Sequence, residues 1–300
     1  MSMNSLWNGY GNVTDRQELK SMANEKADHF LSCANTMQDG LRIQKCATRL
    51  RVYPDAAYGT FTDTWYCKHR HCPICQWRKA LKWRSRMHQL LDSTPEALSG
   101  KWVALTLTLR NCHVSDLKNT INEMNDAFRR LSNRAFWKAN VLGGIKFVEI
   151  DQGASDFQSA HPHFHCLIQV RPSMHQGNNY VTEERWAEEW QGCLKAHFIP
   201  QVRARRLTGK DDELRQKILK CVSYPMKPSL HAPQRGWFLS MAEQIKDLNL
   251  IQPFGQIRGW FSDLKHQEDC ELKQHRDDVR FEQKPTTFQW DWFHESYRRD

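Results

Sequence analysis

Three histidines stand at alternate positions, His161, His163 and His165, just ahead of the apolar run Cys166-Leu167-Ile168. A β-strand sends alternate side chains to one face. His163 and His165 then share a face, Phe164 and Cys166 take the other, and His161 is a reserve imidazole that Pro162 can bend out of line. Two imidazoles on one rigid strand begin a divalent metal site, and a carboxylate usually completes such a set. Glu149 is the first choice. It lies near the far end of the preceding strand-like run, Ile145 to Asp151, so antiparallel pairing brings it beside the histidines. Asp151 is the reserve on the same face. Imidazole and carboxylate ligands with a phosphodiester substrate point to Mg²⁺ or Mn²⁺, polarising the scissile phosphate as a Lewis acid.

A nucleophile for that phosphate stands further on, at Tyr224-Pro225-Met226-Lys227. A free phenol, with a pKa of about 10, is a poor nucleophile at neutral pH. A nearby cation improves it, and Lys227 supplies one. On a helix, Lys220, Tyr224 and Lys227 share a face, although Pro225 disfavours helical geometry at Tyr224. The competing tyrosine, Tyr180, sits among asparagines with no cation beside it.

A third cluster is made of sulfur. Cys67, Cys72 and Cys75, with Cys46 upstream, offer four thiolates in zinc-ribbon style, and Pro73 suits the turn of a knuckle. His69 and His71 are alternative ligands. A structural Zn²⁺ here would hold the basic helix that follows, whose Arg78, Lys79, Lys82, Arg84 and Arg86 suit phosphate. The remaining cysteines, Cys33, Cys112, Cys166, Cys193, Cys221 and Cys270, are scattered and fit structural thiols.

The composition is consistent with this chemistry. The 300 residues carry a formal net charge of +9, with 12 Trp, 14 Phe and 7 Tyr. Cations serve phosphates and rings serve unpaired bases. No apolar run approaches a membrane span, and the first residues show no secretory pattern, so a cytoplasmic protein with reduced thiols is expected. Along the chain, Thr14 with Gln17 forms a capping box for a helix to about Thr36. The stretch from Leu41 to Tyr66 suggests short strands. A helix ends near Leu91. Trp102 to Leu109 alternates as a half-buried strand. Ser115 is placed to cap a long helix bearing Leu117, Ile121, Met124, Phe128 and Leu131. Gly143-Gly144 suggests a break. Helices are expected near Thr182 to Ala196, from Asp211 to the tyrosine, and near Gly236 to Leu248.

Together these pieces resemble the plasmid rolling-circle replication initiators of the HUH endonuclease superfamily, single-tyrosine type. Cys67-Lys-His-Arg-His-Cys-Pro-Ile-Cys-Gln-Trp-Arg-Lys is similar to that family's cysteine block, and Ala104-Leu-Thr-Leu-Thr-Leu-Arg-Asn111 to its first motif. Glu149 with His161-Pro-His-Phe-His165 matches its metal motif, and Tyr224-x2-Lys227-Pro-Ser its tyrosine motif. The resemblance implies an α+β fold: a central antiparallel sheet flanked by helices, with the histidines on the middle strand. It also implies a reaction. The initiator nicks a single-stranded site at the double-strand origin, forms a 5′-phosphotyrosine link, and leaves a 3′-hydroxyl that primes synthesis. Three positions depart from the pattern: Lys220 stands where several relatives carry a glutamate, Ser223 where a lysine often precedes the tyrosine, and Pro225 is unusual at its own position.

The expected layout is a helical extension over 1–40, a cysteine-rich zinc module with its basic helix over 41–100, a nicking-joining domain over 101–260, and a charged, Trp-rich tail over 261–300. Expected partners are plasmid origin DNA, a host helicase and polymerase, and a second copy of the chain in a homodimer; no membrane is expected. The alternatives are an HUH transposase or mobilisation relaxase, a non-catalytic zinc-containing DNA-binding protein, and an iron oxygenase with two histidines and one carboxylate.

Overall fold

The computed structural model describes residues 13–55, 59–153, 156–175, 181–223, 234–264 and 284–300. In chain order the helices are α1 (Val13–Leu31), α2 (Met37–Lys45), α3 (Pro73–Ser93), α4 (Pro95–Ser99), α5 (Leu117–Asn133), α6 (Ala135–Asn140), α7 (Glu183–Leu194), α8 (Asp211–Ser223) and α9 (Arg235–Ile245). The strands are β1 (Arg49–Asp55), β2 (Gly59–Asp63), β3 (Lys101–Thr108), β4 (Cys112–His113), β5 (Val141–Gln152), β6 (Ser159–Val170), β7 (Val202–Leu207), β8 (Ile251–Gly255), β9 (Thr286–Asp291) and β10 (Ser296–Arg299). They divide between two units, the first drawing on both ends of the chain and the second on its middle.

The first unit holds a four-stranded antiparallel sheet in the order β10-β9-β1-β2. Helices α1 and α2 pack together, and Gly40 permits it, since a Cβ there would lie 2.7 Å from Leu31 Cγ. The stretch expected as strands from Leu41 therefore begins as helix. Burial of Ile43 decides the matter, because so short an apolar run satisfies either period. Helix α1 itself ends at Leu31, ahead of a short 3₁₀ turn over Ala34–Thr36. At the other end of the chain, Thr286 to Arg299 forms a hairpin bound to β1. Tyr297 Oη donates to Ala47 O, and Trp290 N donates to Thr48 O.

The second unit is built on an antiparallel sheet in the order β7-β3-β6-β5-β8, with β4 pairing β6 off that path. The histidine strand β6 is the middle strand. Its even positions face α5 and α7: Phe164 meets Phe128 and Trp190 with ring centroids 6.0 and 6.3 Å apart. Phe164 is fully buried, and hiding such a side chain stabilises the fold by roughly 1.5–3 kcal/mol. Helix α4 lies on the other face, where Trp102 Nε1 and Gln169 Nε2 donate to Ala97 O and Glu96 O. Helix α8 packs against β6 and β7.

Gly143 and Gly144 do not break the chain. They lie inside β5 at an irregular step of register, and a Cβ on Gly144 would fall 2.4 Å from Leu167 O. Glycine is there for close backbone approach rather than for a turn. The start of α5 also differs from expectation: Val114–Asp116 forms a 3₁₀ turn capped by His113, whose Nδ1 accepts from Ser115 N. Thr182 does cap α7, accepting from Arg185 N. Among the described residues, no helix is long and apolar enough to cross a membrane.

Candidate metal centre

Strand register assembles the imidazole–carboxylate group. Antiparallel pairing sets Glu149 of β5 directly opposite His163 of β6, and directly opposed residues project from the same face. His165 follows two positions on. Glu149 Oε2 lies 2.6 Å from His165 Nε2 and 3.4 Å from His163 Nε2, and the two Nε2 atoms are 3.0 Å apart. One ligand atom from each residue falls within 4.8 Å of the others.

The outer nitrogens are already occupied. His163 Nδ1 is 3.2 Å from His161 O and donates to it, and His165 Nδ1 is 3.2 Å from Thr106 Oγ1. Both Nε2 atoms are thereby left facing Glu149, the arrangement a metal-ligating histidine needs. Glu149 Oε2 is shielded from solvent and lies against the two imidazole nitrogens. Two ring nitrogens and a carboxylate oxygen converging on one point are a donor set for a divalent cation. These residues fit a divalent metal.

Charge in the cluster points the same way. Burial works against the Glu149 carboxylate, but the adjacent imidazoles outweigh it and hold its pKa down at about 2. Burial also works against charging His163, and there the Glu149 carboxylate prevails, so the pKa is raised. His161 goes the other way, lowered by burial and by the neighbouring His163.

The two reserves stand outside the trio. Asp151 Oδ2 is 4.0 Å from His163 Nε2, and its side chain is 62% exposed. His161 lies opposite Asp151 in register, and its Nδ1 contacts Asn111 Oδ1 at 2.7 Å. Thr106 and Asn111, both inside the run Ala104 to Asn111, support the histidines, a role the motif alone does not assign them. A signal for Thr106 existed: Ala104, Thr106 and Thr108 form the polar side of an alternating strand, and that side is the histidine side.

In the first unit, Cys46, Cys67, Cys72 and Cys75 bring their sulfurs within 4.8 Å of one another. Cys75 Sγ lies 3.7 Å from Cys46 Sγ and 3.6 Å from Cys67 Sγ, and all four are free thiols. Backbone N–H groups point at two of them: Cys67 N donates to Cys46 Sγ and His69 N to Cys67 Sγ, each at 3.4 Å. Contact among the sulfurs drives Cys46 and Cys72 up and Cys67 and Cys75 down, so the four cannot all ionise without a compensating cation. The donor set fits zinc. The alternative ligands stand apart: His69 Nε2 is 3.6 Å from Asp39 Oδ1, and its Nδ1 accepts from His71 N.

The basic residues of α3 do not all share a face. At about 100° per residue, Arg78, Lys79, Lys82 and Arg86 fall within one arc and Arg84 outside it. Arg78, Lys79 and Lys82 are exposed, whereas Arg84 and Arg86 are half-buried. The Arg78 guanidinium stacks 3.5 Å from the Tyr66 ring centroid, and Arg84 Nη2 donates to Gln216 Oε1. Tyr224 and Lys227, as well as Tyr180, lie outside the described residues; α8 ends at Ser223, with Lys220 exposed in its last turn.

A sequence model of the replication protein family (Rep_1) matches residues 58–298. The chain is 32% identical over 192 residues to "Protein rep" of Streptococcus pneumoniae, covering 62% of this chain and 59% of that protein. It is 30% identical over 217 residues to "Protein rep" of a Bacillus species, covering 68% and 66%. "Protein rep" of Bacillus amyloliquefaciens is 30% identical over 208 residues, covering 67% and 61%. The chain thus spans about three fifths to two thirds of the length of these relatives. No solved structure matches it. With most of its length matched by the family model, the chain belongs to the Rep_1 family of replication proteins.

Proposed function

We propose that this chain is a plasmid replication initiator with the HUH nicking-joining fold, cutting single-stranded DNA at the double-strand origin. The observation that carries the reading is the convergence of Glu149 Oε2 and the Nε2 atoms of His163 and His165 in a member of a replication protein family. Residues 101–260 carry the nicking chemistry and 41–100 the zinc module, while the extension at 1–40 and the tail at 261–300 contribute to the same unit as the cysteines. Glu149, His163 and His165 would hold Mg²⁺ or Mn²⁺, which when bound would supply Lewis-acid polarisation of the scissile phosphate. Cys46, Cys67, Cys72 and Cys75 hold a structural Zn²⁺.

Tyr224 Oη forms a bond to the phosphorus as the bond to the 3′ oxygen breaks. The phenolic proton is given up, the 3′ oxygen takes one, and the strand is left as a 5′-phosphotyrosine and a 3′-hydroxyl. Lys227 stabilises the phenolate and the charge gathering on phosphate. Arg78, Lys79, Lys82, Arg84 and Arg86 contribute to the grip on origin DNA. Lys220 occupies the position where several members of the resembled initiator family carry a glutamate, so closure of the displaced circle falls to Asp211, Asp212 or Glu213, or to the tyrosine of a second protomer. The protein works in the cytoplasm beside a host helicase and polymerase.

The test is to incubate the full chain with Mn²⁺ and a random-sequence pool of single-stranded oligonucleotides, then isolate covalent adducts. Peptide mapping should place the DNA on Tyr224, and sequencing should return one nick site. Tyr224→Phe should form no adduct while still binding DNA. An adduct that persists in Tyr224→Phe, or maps to another residue, overturns the assignment.

A further inference from the structure

Continuous registers carry the metal face of the sheet out to its edge. His165 of β6 lies opposite Thr106 of β3, and Thr106 lies opposite Arg203 of β7. The three side chains therefore leave the same face. The step from His165 to Arg203 is two strand spacings, about 10 Å in all. The Arg203 backbone thus lies two strands from the strand that carries the histidines.

Strand β7 reads Val202-Arg-Ala-Arg-Arg-Leu207 and is the sheet's terminal strand. Alternation divides its three arginines. Arg203 and Arg205 take the histidine face, and Arg206 the other. Arg205 lies opposite Ala104. Arg203, one row nearer the cluster, has a side chain that is 83% exposed, and its tip leans round the sheet edge to a long ion pair, 3.7 Å to Glu183 Oε2 of α7, a helix on the opposite face. An exposed pair of that length is worth little, and a phosphate can displace it. Charge on an edge strand has a plainer use, namely to block pairing with another sheet. That use makes no distinction between the two faces of the strand.

We infer that Arg203 is a phosphate-positioning residue: its guanidinium grips a backbone phosphate adjoining the one at the metal, so that single-stranded DNA crosses from β6 toward the β7 edge. The planar fork of arginine matches two phosphate oxygens, which a lysine cannot do. This inference rests on the nicking reading for its substrate, but it makes a separate demand on one edge of the sheet.

The experiment compares the full chain with Arg203→Ala, Arg203→Lys and Arg206→Ala. Equilibrium binding of a mixed-sequence single-stranded oligonucleotide is measured across salt concentrations, and adduct formation on the random pool is timed with Mn²⁺. Arg203→Ala should reduce the slope of log affinity against log salt by about 0.7, the value of one single-strand phosphate contact, and slow adduct formation about tenfold or more. Arg203→Lys should keep the slope and still slow the adduct. Arg206→Ala should change neither. A wild-type slope and rate in Arg203→Ala overturns the inference, as does an equal loss in Arg206→Ala, which would mean that bulk charge on the edge suffices. If the unaltered chain forms no Tyr224 adduct while Arg203→Ala alone loses slope, the nicking reading fails and the phosphate contact stands.

Discussion

The sulfur cluster and the imidazole–carboxylate cluster each bring their ligand atoms within 4.8 Å, and there the likeness ends. Cys46, Cys67 and Cys72 are buried and the cluster offers four thiolates, enough to close a tetrahedral site. The other cluster offers three ligands from two strands, and the side chains of His165 and Glu149 remain 27% and 26% exposed. A metal held there keeps open positions for substrate. On the function proposed above, the contrast is that between a site that folds a unit and a site that acts on something that arrives.

Removing a sulfur tests this most severely. Cys72→Ser should release zinc and unfold the first unit, since binding energy at such sites is folding energy; zinc content by mass spectrometry and limited proteolysis report it. Retained zinc with an unchanged digest would erase the contrast. His165→Ala should do the reverse, cutting metal-dependent adduct formation by more than about 100-fold while thermal unfolding shifts little. Unfolding of His165→Ala as severe as that of Cys72→Ser would make both sites structural. Thr106→Val should weaken Mn²⁺ affinity by about tenfold, because His165 Nδ1 loses the hydroxyl beside it; titration calorimetry that finds no change would remove Thr106 from the site.

The smallest effect is with pH. The His163 pKa is raised by Glu149 against the pull of burial, and a proton competes with metal for Nε2. Mn²⁺ affinity should therefore begin to fall above the ordinary histidine value of about 6.5 as the solution is acidified. An onset below that value would mean that Glu149 does not stabilise the imidazolium.

Much of the histidine face was legible in the order of residues. The period of two in Ile145 to Asp151 and in His161 to Ile168 specified which side chains share a face, and a short polar connection implied antiparallel pairing. Glu149 opposite His163 follows from those two facts and one register. Less was legible where partners are distant. The strands at Thr286 to Arg299 complete a sheet with β1, and no local pattern identifies a partner so far back along the chain. Leu41 to Lys45 was mistaken for strand because five residues satisfy both periods, and contact with α1 settles it as helix.

By itself, the order of residues determined the ligand types and their spacing: alternate imidazoles on one strand, paired thiols at a knuckle, basic side chains along a helix. Backbone geometry makes these local, since a strand repeats every two residues and a helix about every 3.6. Only the tertiary structure decided which neighbours complete each set. Thr106 behind His165 and Arg203 beyond it both depend on register between segments remote in sequence. Those relations follow from the burial of the whole chain and not from any one stretch of it.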